Sequence, residues 1–362
     1  MSTISLCMIV RDEEDVLGRC LASIQGIADE IVIVDTGSKD RTKEIAAQYT
    51  ALIYDFPWID DFAAARNFAF SKGTQDYLMW LDADDVILEE DREKLLRIKE
   101  ELPGGIDLVM LKYNVSFDEH GSPTLSYYRE RLFRREKGYV WEGAVHETVT
   151  PSGNIVYRDA AVTHRKLHPS DPDRNLRIFE KLLSEGKSLD PRQQFYYGRE
   201  LYYHNRLLEA VRVFTEFLDS GKGWVENCID CCRDLALCHE KLGEEGMALQ
   251  SLFRSFQYEE PRAEICCEIG RHFLKTQRPE TAAFWYGLAL TREKHDLSGG
   301  FQLNDCYDYI PYIQLCVCYD RLGRHALAEE YNEMAGSVKP EDVAYLHNKT
   351  YFENLKNAAK QA

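Results

Sequence analysis

Between residue 4 and about residue 165, short apolar runs alternate with single helical patterns, and beyond that point no run reads as a strand. This change of period divides the 362-residue chain more sharply than any other feature. "ISLCMIV" (4–10) precedes an amphipathic stretch in which Val16, Leu17, Cys20, Leu21 and Ile24 recur at helical spacing. "EIVIVD" (30–35) leads through "TGSKDRT", rich in turn and N-cap residues, into "KEIAAQY". "ALIYDF" (51–56), the helical "DDFAAARNFAFSKG" (60–73), "YLMWLD" (77–82), the charged helix "EEDREKLLRIKEEL" (89–102) and "DLVMLKYNV" (107–115) continue the alternation. Near-continuous apolar strands separated by single helices predict an α/β unit with a mostly parallel sheet covered on both faces. After Gly105, "LSYYRERLFRR", "YVWEGAVHETV" and "NIVYRDAAVTHR" read as strands joined by turns, so the sheet is expected to finish mixed or antiparallel.

"HPSDPD" (168–173) reads as a linker, which places a first domain near 1–168 and an all-α domain near 173–362. In the second, Ala210, Ala248, Ala282 and Ala328 each stand five residues after Asn205, Gly243, Gln277 or Gly323. The same alanines stand twelve residues after Gly198, Ala236, Gly270 or Cys316, small residues that let paired helices touch. A period of about 34 residues, with a longer loop around "HDLSGGFQLND", accounts for the spacing and resembles the tetratricopeptide repeat. Aromatic-rich segments such as "QFYYGRELYYHN" read chiefly as inter-helix core. Stacked repeats also form a concave groove that suits a peptide or protein acceptor, with a homodimer through the same surface as the competing use.

Composition narrows the partners. A formal charge of −17 repels phosphate backbones and anionic lipid, which disfavours nucleic acid. The longest early apolar run is cut off by "RDEED", too short to span a bilayer and without the features of a signal peptide, so a cytoplasmic protein with no integral membrane segment is expected. Eleven cysteines, an odd count in a large chain, are expected to be reduced thiols. Cys228, Cys231, Cys232 and Cys238 fall in an apolar helical pattern and read as core rather than as a zinc site.

"YLMWLDADDVI" (77–87) carries the chemistry: a buried strand runs into Asp82, Asp84 and Asp85. A D-x-D after such a strand can aim two carboxylates at one hard cation; the alternative is a solvated loop in which Asp85 caps the helix near Glu89. Asp35 ends an adjacent strand, and ligands of open α/β sheets sit outside the carboxyl ends of the strands. Its carboxylate could accept from a base N–H or a ribose hydroxyl. Arg66 and Asn67 interrupt an apolar helix face with a guanidinium suited to a base or a diphosphate, or else with an ordinary surface arginine.

"SLCMIVRDEEDVLGRCLASI", "EIVIVDTGSKDRT", "DDFAAARNFAFS" and "YLMWLDADD", in that order, resemble family 2 glycosyltransferases of the GT-A fold. The continuation "RLFRREKGYVWEGAVHETV", "VTHRKLHPSDPDRNLRIFEKLL" and the helical repeats is similar to a bacterial subgroup that joins a short catalytic domain to tetratricopeptide repeats. Some of its relatives modify bacteriocin peptides.

The resemblance implies a Rossmann-like GT-A domain, a UDP-sugar donor, Mg²⁺ or Mn²⁺, and inversion at the anomeric carbon. It would place Glu13 and Asp35 at the nucleoside, Arg66 near the base or diphosphate, Asp82 at the ribose and Asp84 on the metal. His146 would approach the diphosphate and His164 would complete the metal site. Asp12 stands where the family usually has Asn, which leaves its role open.

Inversion needs a carboxylate base. Strand alternation would put Glu142 and Glu147 on opposite faces of "WEGAVHETV"; Glu147 is favoured because His146-Glu147 matches the family's His-Glu motif, with Glu142 in reserve. With no Q-x-x-R-W sequence, a processive polymer synthase is disfavoured. The expected function is sugar transfer to a peptide, protein or cell-envelope glycan acceptor; the rival is a non-catalytic repeat scaffold carrying a degenerate transferase domain.

Overall fold

The computed structural model describes residues 2–102, 105–168, 171–294 and 297–361. The chain forms two compact units, one of residues 1–200 with 296–300 and one of residues 201–295 with 301–362.

In the first unit, the elements run β1 (Ile4–Val10), α1 (Leu17–Ser23), β2 (Glu30–Asp35), α2 (Thr42–Ala46), β3 (Ile53–Asp55), α3 (Phe62–Phe70), β4 (Tyr77–Met79), β5 (Asp85–Val86) and α4 (Glu89–Glu101). They continue with β6 (Leu108–Phe117), β7 (Pro123–Arg134), β8 (Ile155–His164), α5 (Arg174–Ser184) and α6 (Pro191–Tyr203). The eight strands order as β3-β2-β1-β4-β7-β6-β8-β5. β1 pairs in parallel with β2 and β4, and β2 with β3, whereas β7 is antiparallel to both β4 and β6. The mixed finish expected after Gly105 is therefore present.

Both faces of the sheet are covered, for the reason the apolar runs implied. Alternate residues of β1, Ile4, Leu6, Met8 and Val10, pack with Leu17 and Leu21 of α1 and Leu95 of α4. Cys7 points the other way, into a core with Val32, Val34, Ala63, Ala69 and Phe70. Val10, Asp35 and Asp55 lie level in the register, so β1, β2 and β3 end at one edge.

Three expectations need correction. "YVWEGAVHETV" is not a strand: Glu142 bridges Thr148 across a tight turn in which Gly143 has φ +96° and His146 φ +52°. A glycine followed by a left-handed histidine cannot continue a pleated strand, although the alternation of residues imitates one. Second, the first unit does not stop at the linker but runs through Glu200, because α5 and most of α6 pack with it; Pro169 and Ser170 of that linker lie outside the described residues. Third, a strand does occur late in the chain, β9 (Gln302–Leu303), two residues long and too short to leave a period.

In the second unit the helices are α7 (Leu207–Ser220), α8 (Val225–Lys241), α9 (Glu245–Arg254), α10 (Ala263–Lys275), α11 (Pro279–Ala289), α12 (Tyr309–Arg321), α13 (His325–Val338) and α14 (Val343–Gln361). The repeat signature has a plain physical cause. Asn205, Gly243, Gln277 and Gly323 all adopt positive φ, between 58° and 79°. The following residue in each case bonds back across the helix end: Arg206 N–H to Leu201 O, Glu244 to His239, Arg278 to Phe273 and Arg324 to Tyr319. Each repeat thus ends its first helix in the same Schellman cap. The alanine five residues on is buried every time, none of the four being more than 1% exposed.

At Gly270 an added Cβ would lie 2.9 Å from the buried Tyr286 ring. Gly270→Ala would gain about 1 kcal/mol of helix propensity but overpack at about 1–3 kcal/mol. The expected result is a net loss of roughly 1 kcal/mol, read as a lower urea midpoint.

All eleven cysteines are buried and free. Among the described residues no helix is long and apolar enough to cross a membrane.

Candidate active site

The three aspartates after β4 divide the work. Asp85 is fully buried and is not a helix cap: Leu88 holds the N-cap position of α4. Its Oδ2 accepts from the Asp82 N–H at 3.1 Å and from Arg131 Nη1 at 3.4 Å, and its Oδ1 accepts from the Tyr113 hydroxyl at 2.9 Å. Arg131, itself fully buried, lies over the Trp80 ring at 3.8 Å and Tyr113 at 4.5 Å. A buried carboxylate needs such a counter-charge and such donors, and here they fix the loop that carries its two neighbours.

Those neighbours, Asp82 and Asp84, are both partly exposed. Asp84 Oδ1 lies 3.4 Å from His164 Nδ1, which also lies 3.3 Å from Asp85 Oδ1 and 3.1 Å from the Tyr113 hydroxyl. β5 sets this up by pairing Asp85 with His164 of β8. The hydrogen bond to Asp85, with the nearby Asp84 charge, raises the His164 pKa. Burial, then Asp82 and Asp85, push Asp84 up as well. Glu13, in the loop after β1, is pushed up to about 7 by burial and then by Asp84 and Asp82. Burial first, and neighbouring carboxylates second, thus oppose the charged forms of Glu13 and Asp84.

Arg66 organises the other side. It is 6% exposed; Nη2 reaches Asp82 Oδ1 at 2.7 Å and Nε reaches Glu147 Oε1 at 2.6 Å. Trp80 and Trp141 lie against the guanidinium at 4.6 Å and 5.1 Å. Although burial opposes it, this pairing holds Asp82 below its ordinary range. The surface-arginine alternative is thus excluded, and Arg66 is committed to two carboxylates. Asn67 secures the next segment, bonding both the N–H and the carbonyl of Trp141. α3, which carries Arg66 and Asn67, is itself capped by Asp61 accepting from the Ala64 N–H.

The turn from Glu142 to Thr148 decides the fate of the two glutamates. Glu142 is exposed and its backbone bonds Thr148, whereas Glu147 is turned inward onto Arg66. His146 does not point at open cleft: Nε2 lies 3.1 Å from Glu200 Oε1 and its ring stacks on Tyr196 at 4.1 Å. Asp35, 1% exposed, accepts from the N–H groups of Gly37 and Ser38 and lies 3.7 Å from Lys43 Nζ. Asp12 links the two loops: its Oδ1 accepts from the Lys39 N–H at 2.6 Å, and its own N–H donates to Ser38 Oγ.

The structure thus gathers Glu13, Asp82, Asp84, His164, Arg66 and Glu147, with Asp35 at the same edge, and leaves Glu142 outside. Sequence reasoning missed Asp85, Arg131, Tyr113 and Glu200 as supports. The signal for Arg131 was present: it is a charge beside Leu132 and Phe133 in a strand segment buried from Glu130 to Phe133.

Asp84, Asp85 and His164 each bring one ligand atom, all within 4.8 Å of one another, a set of carboxylate oxygens and an imidazole that fits a divalent cation. Glu240, Glu245 and His272 of the second unit are similarly close, but Arg271 and Lys275 already pair with those carboxylates.

A parallel-to-mixed α/β sheet with a carboxylate cluster at its strand ends, joined to helical repeats, defines a class of two-part proteins. Residues 5–163 match the family described as glycosyl transferase family 2, and the chain belongs to that family. It is 31% identical over 194 residues to the lipopolysaccharide core biosynthesis glycosyltransferase LpsC of Rhizobium meliloti, covering 51% of this chain and 68% of that one. It is 27% identical over 241 residues to the SPbeta prophage-derived glycosyltransferase SunS of Bacillus subtilis, covering 61% and 54%. A TPR repeat-containing protein of Synechococcus elongatus is 40% identical over 154 residues, covering 42% and 36%. The chain therefore spans between about a third and about half of the length of these last two relatives.

Proposed function

We propose that this chain is an inverting, metal-dependent glycosyltransferase that moves a sugar from a UDP-sugar to a peptide, protein or cell-envelope glycan. The observation that carries the reading is the convergence of Glu13, Asp82 and Asp84 beside the Arg66–Glu147 pair at the carboxyl edge of the sheet. Glu13, Asp35 and Asp82 bind the nucleoside of the donor, whose ribose hydroxyls suit carboxylate acceptors. Asp84 and His164 hold Mg²⁺ or Mn²⁺, with Asp85 behind them; the imidazole favours Mn²⁺. When bound, that cation supplies positive charge beside the departing diphosphate.

Glu147 acts as the base. The acceptor's nucleophile bonds the anomeric carbon as the bond to the diphosphate oxygen breaks, and the nucleophile's proton passes to the Glu147 carboxylate. Arg66 holds that carboxylate in place through its Nε. The repeats hold the acceptor or a second subunit.

Calorimetry with nucleoside diphosphates and nucleotide sugars, each with Mn²⁺ and with chelator, tests the reading. Metal-dependent binding of UDP, tightened by one sugar, is expected; no binding under any condition would overturn it.

The acid cluster also predicts a pH dependence. Glu13 and Asp84 keep protons in the folded chain that the unfolded chain releases from about pH 4 upward, so stability falls as pH rises, through about pH 7 for Glu13. His164, whose folded pKa is raised above its ordinary 6.5, contributes stability below that value that is lost as pH climbs through the folded pKa. All three have the same sign. Metal-free protein is expected to melt lower at pH 8 than at pH 6, and Mn²⁺ to raise the melting temperature more at pH 8, as differential scanning calorimetry would show.

A further inference from the structure

We infer that Glu200, in the helix α6 that follows the family-matched region, is a positioning residue: through His146 it holds the left-handed turn that presents Glu147. The inference deepens the proposed function and, for its effect on turnover, rests on Glu147 being the base.

The family match ends at residue 163, yet the compact unit continues through Glu200. What those added residues touch is the turn. His146, at φ +52°, occupies a conformation that a side-chain-bearing residue adopts only when its surroundings impose it. Three contacts do so. Glu200 Oε1 takes the Nε2 side of the ring at 3.1 Å, Tyr196 stacks on the ring at 4.1 Å and 10°, and Arg192 Nε donates to the His146 carbonyl at 3.2 Å.

Glu200 is in turn anchored, 6% exposed and accepting from Asn175 Nδ2 at 3.0 Å. The peptide bond between His146 and Glu147 passes this constraint directly to Glu147, whose Oε1 lies 2.6 Å from Arg66 Nε. A carboxylate base works only from the right place, and a shift of about 1 Å can cost about a hundredfold in rate. Glu200 and Arg66 therefore grip the same turn from its two consecutive residues.

The test uses the full chain with Glu200→Leu, which removes the acceptor, and Glu200→Gln, whose amide oxygen can replace it. Hydrogen–deuterium exchange of the amides from Gly143 to Thr148 is expected to quicken at least about tenfold in Glu200→Leu and to return in Glu200→Gln. Release of UDP from the UDP-hexose selected by the binding panel should lose about ten- to a hundredfold in kcat in Glu200→Leu, with donor KM unchanged and rescue in Glu200→Gln. Unaltered exchange in Glu200→Leu overturns the clamp whatever Glu147 does. Full turnover by Glu147→Gln instead overturns the base assignment and leaves the exchange result standing. If Glu200→Leu does not fold, His146→Phe carries the test, since it keeps a ring against Tyr196 and loses only the bond to Glu200; native exchange and turnover there overturn the clamp.

Discussion

Asp84→Asn is expected to abolish turnover and, in chelator, to raise the melting temperature. Both effects have one origin. Burial, and then crowding by Asp82 and Asp85, makes the Asp84 charge costly in the metal-free protein. Asparagine removes that repulsion, and relieves Glu13, while keeping the shape. The substitution forfeits one ion pair with His164, but Asp85 still holds that imidazole at 3.3 Å. A rise of a few degrees at pH 8, roughly 1 kcal/mol after allowance for solvent screening, is the expected size.

Under the proposed function the donor-bound state would need the same carboxylate against the cation, so UDP release should fall by roughly a thousandfold. Thermal unfolding with EDTA and with Mn²⁺, beside a UDP-release assay, measures both. Normal turnover would remove Asp84 from the donor site, and a lower melting temperature in EDTA would refute the crowding.

Arg66→Met should be the most destabilising single change in the first unit's cleft. It leaves Glu147 and Asp82 without the cation that lies 2.6 Å and 2.7 Å from them. Breaking a buried pair typically costs about 3–5 kcal/mol; because the Asp82 side chain is 39% exposed, about 2–3 kcal/mol is expected. Adding Glu147→Gln to Arg66→Met should return part of that loss, since one of the stranded charges is gone. Urea midpoints of the two single variants and the double variant give the coupling directly; strict additivity would show that Arg66 acts by packing between Trp80 and Trp141 and not by charge. Arg66→Lys should fall between, because a single ammonium cannot span both carboxylates as the planar guanidinium does. All four variants should lose kcat.

Much of the architecture was legible because it rests on period. β1 buries Ile4, Leu6, Met8 and Val10 on one face and Cys7 on the other, and four alanines recur at one depth of four similar caps. The misreadings fall where period is silent. "YVWEGAVHETV" alternates like a strand but turns at Gly143 and His146, because a positive φ leaves no mark in hydrophobicity. The alternative that Asp85 caps a helix stayed open in the sequence because its partners, Tyr113, Arg131 and His164, are 28, 46 and 79 residues away.

By itself, then, the sequence determined the two kinds of unit and the residue types available at the strand ends. Burial of a repeating apolar face is a local property, and the chain writes it at every turn. Only the tertiary structure decided which charge meets which. Arg66 finds Asp82 16 residues on and Glu147 81 residues on, and His146 finds Glu200 54 residues on. Those separations follow no period; they are set by strand order, register and the path of the loops, and a buried charge takes its partner from whatever these bring within reach.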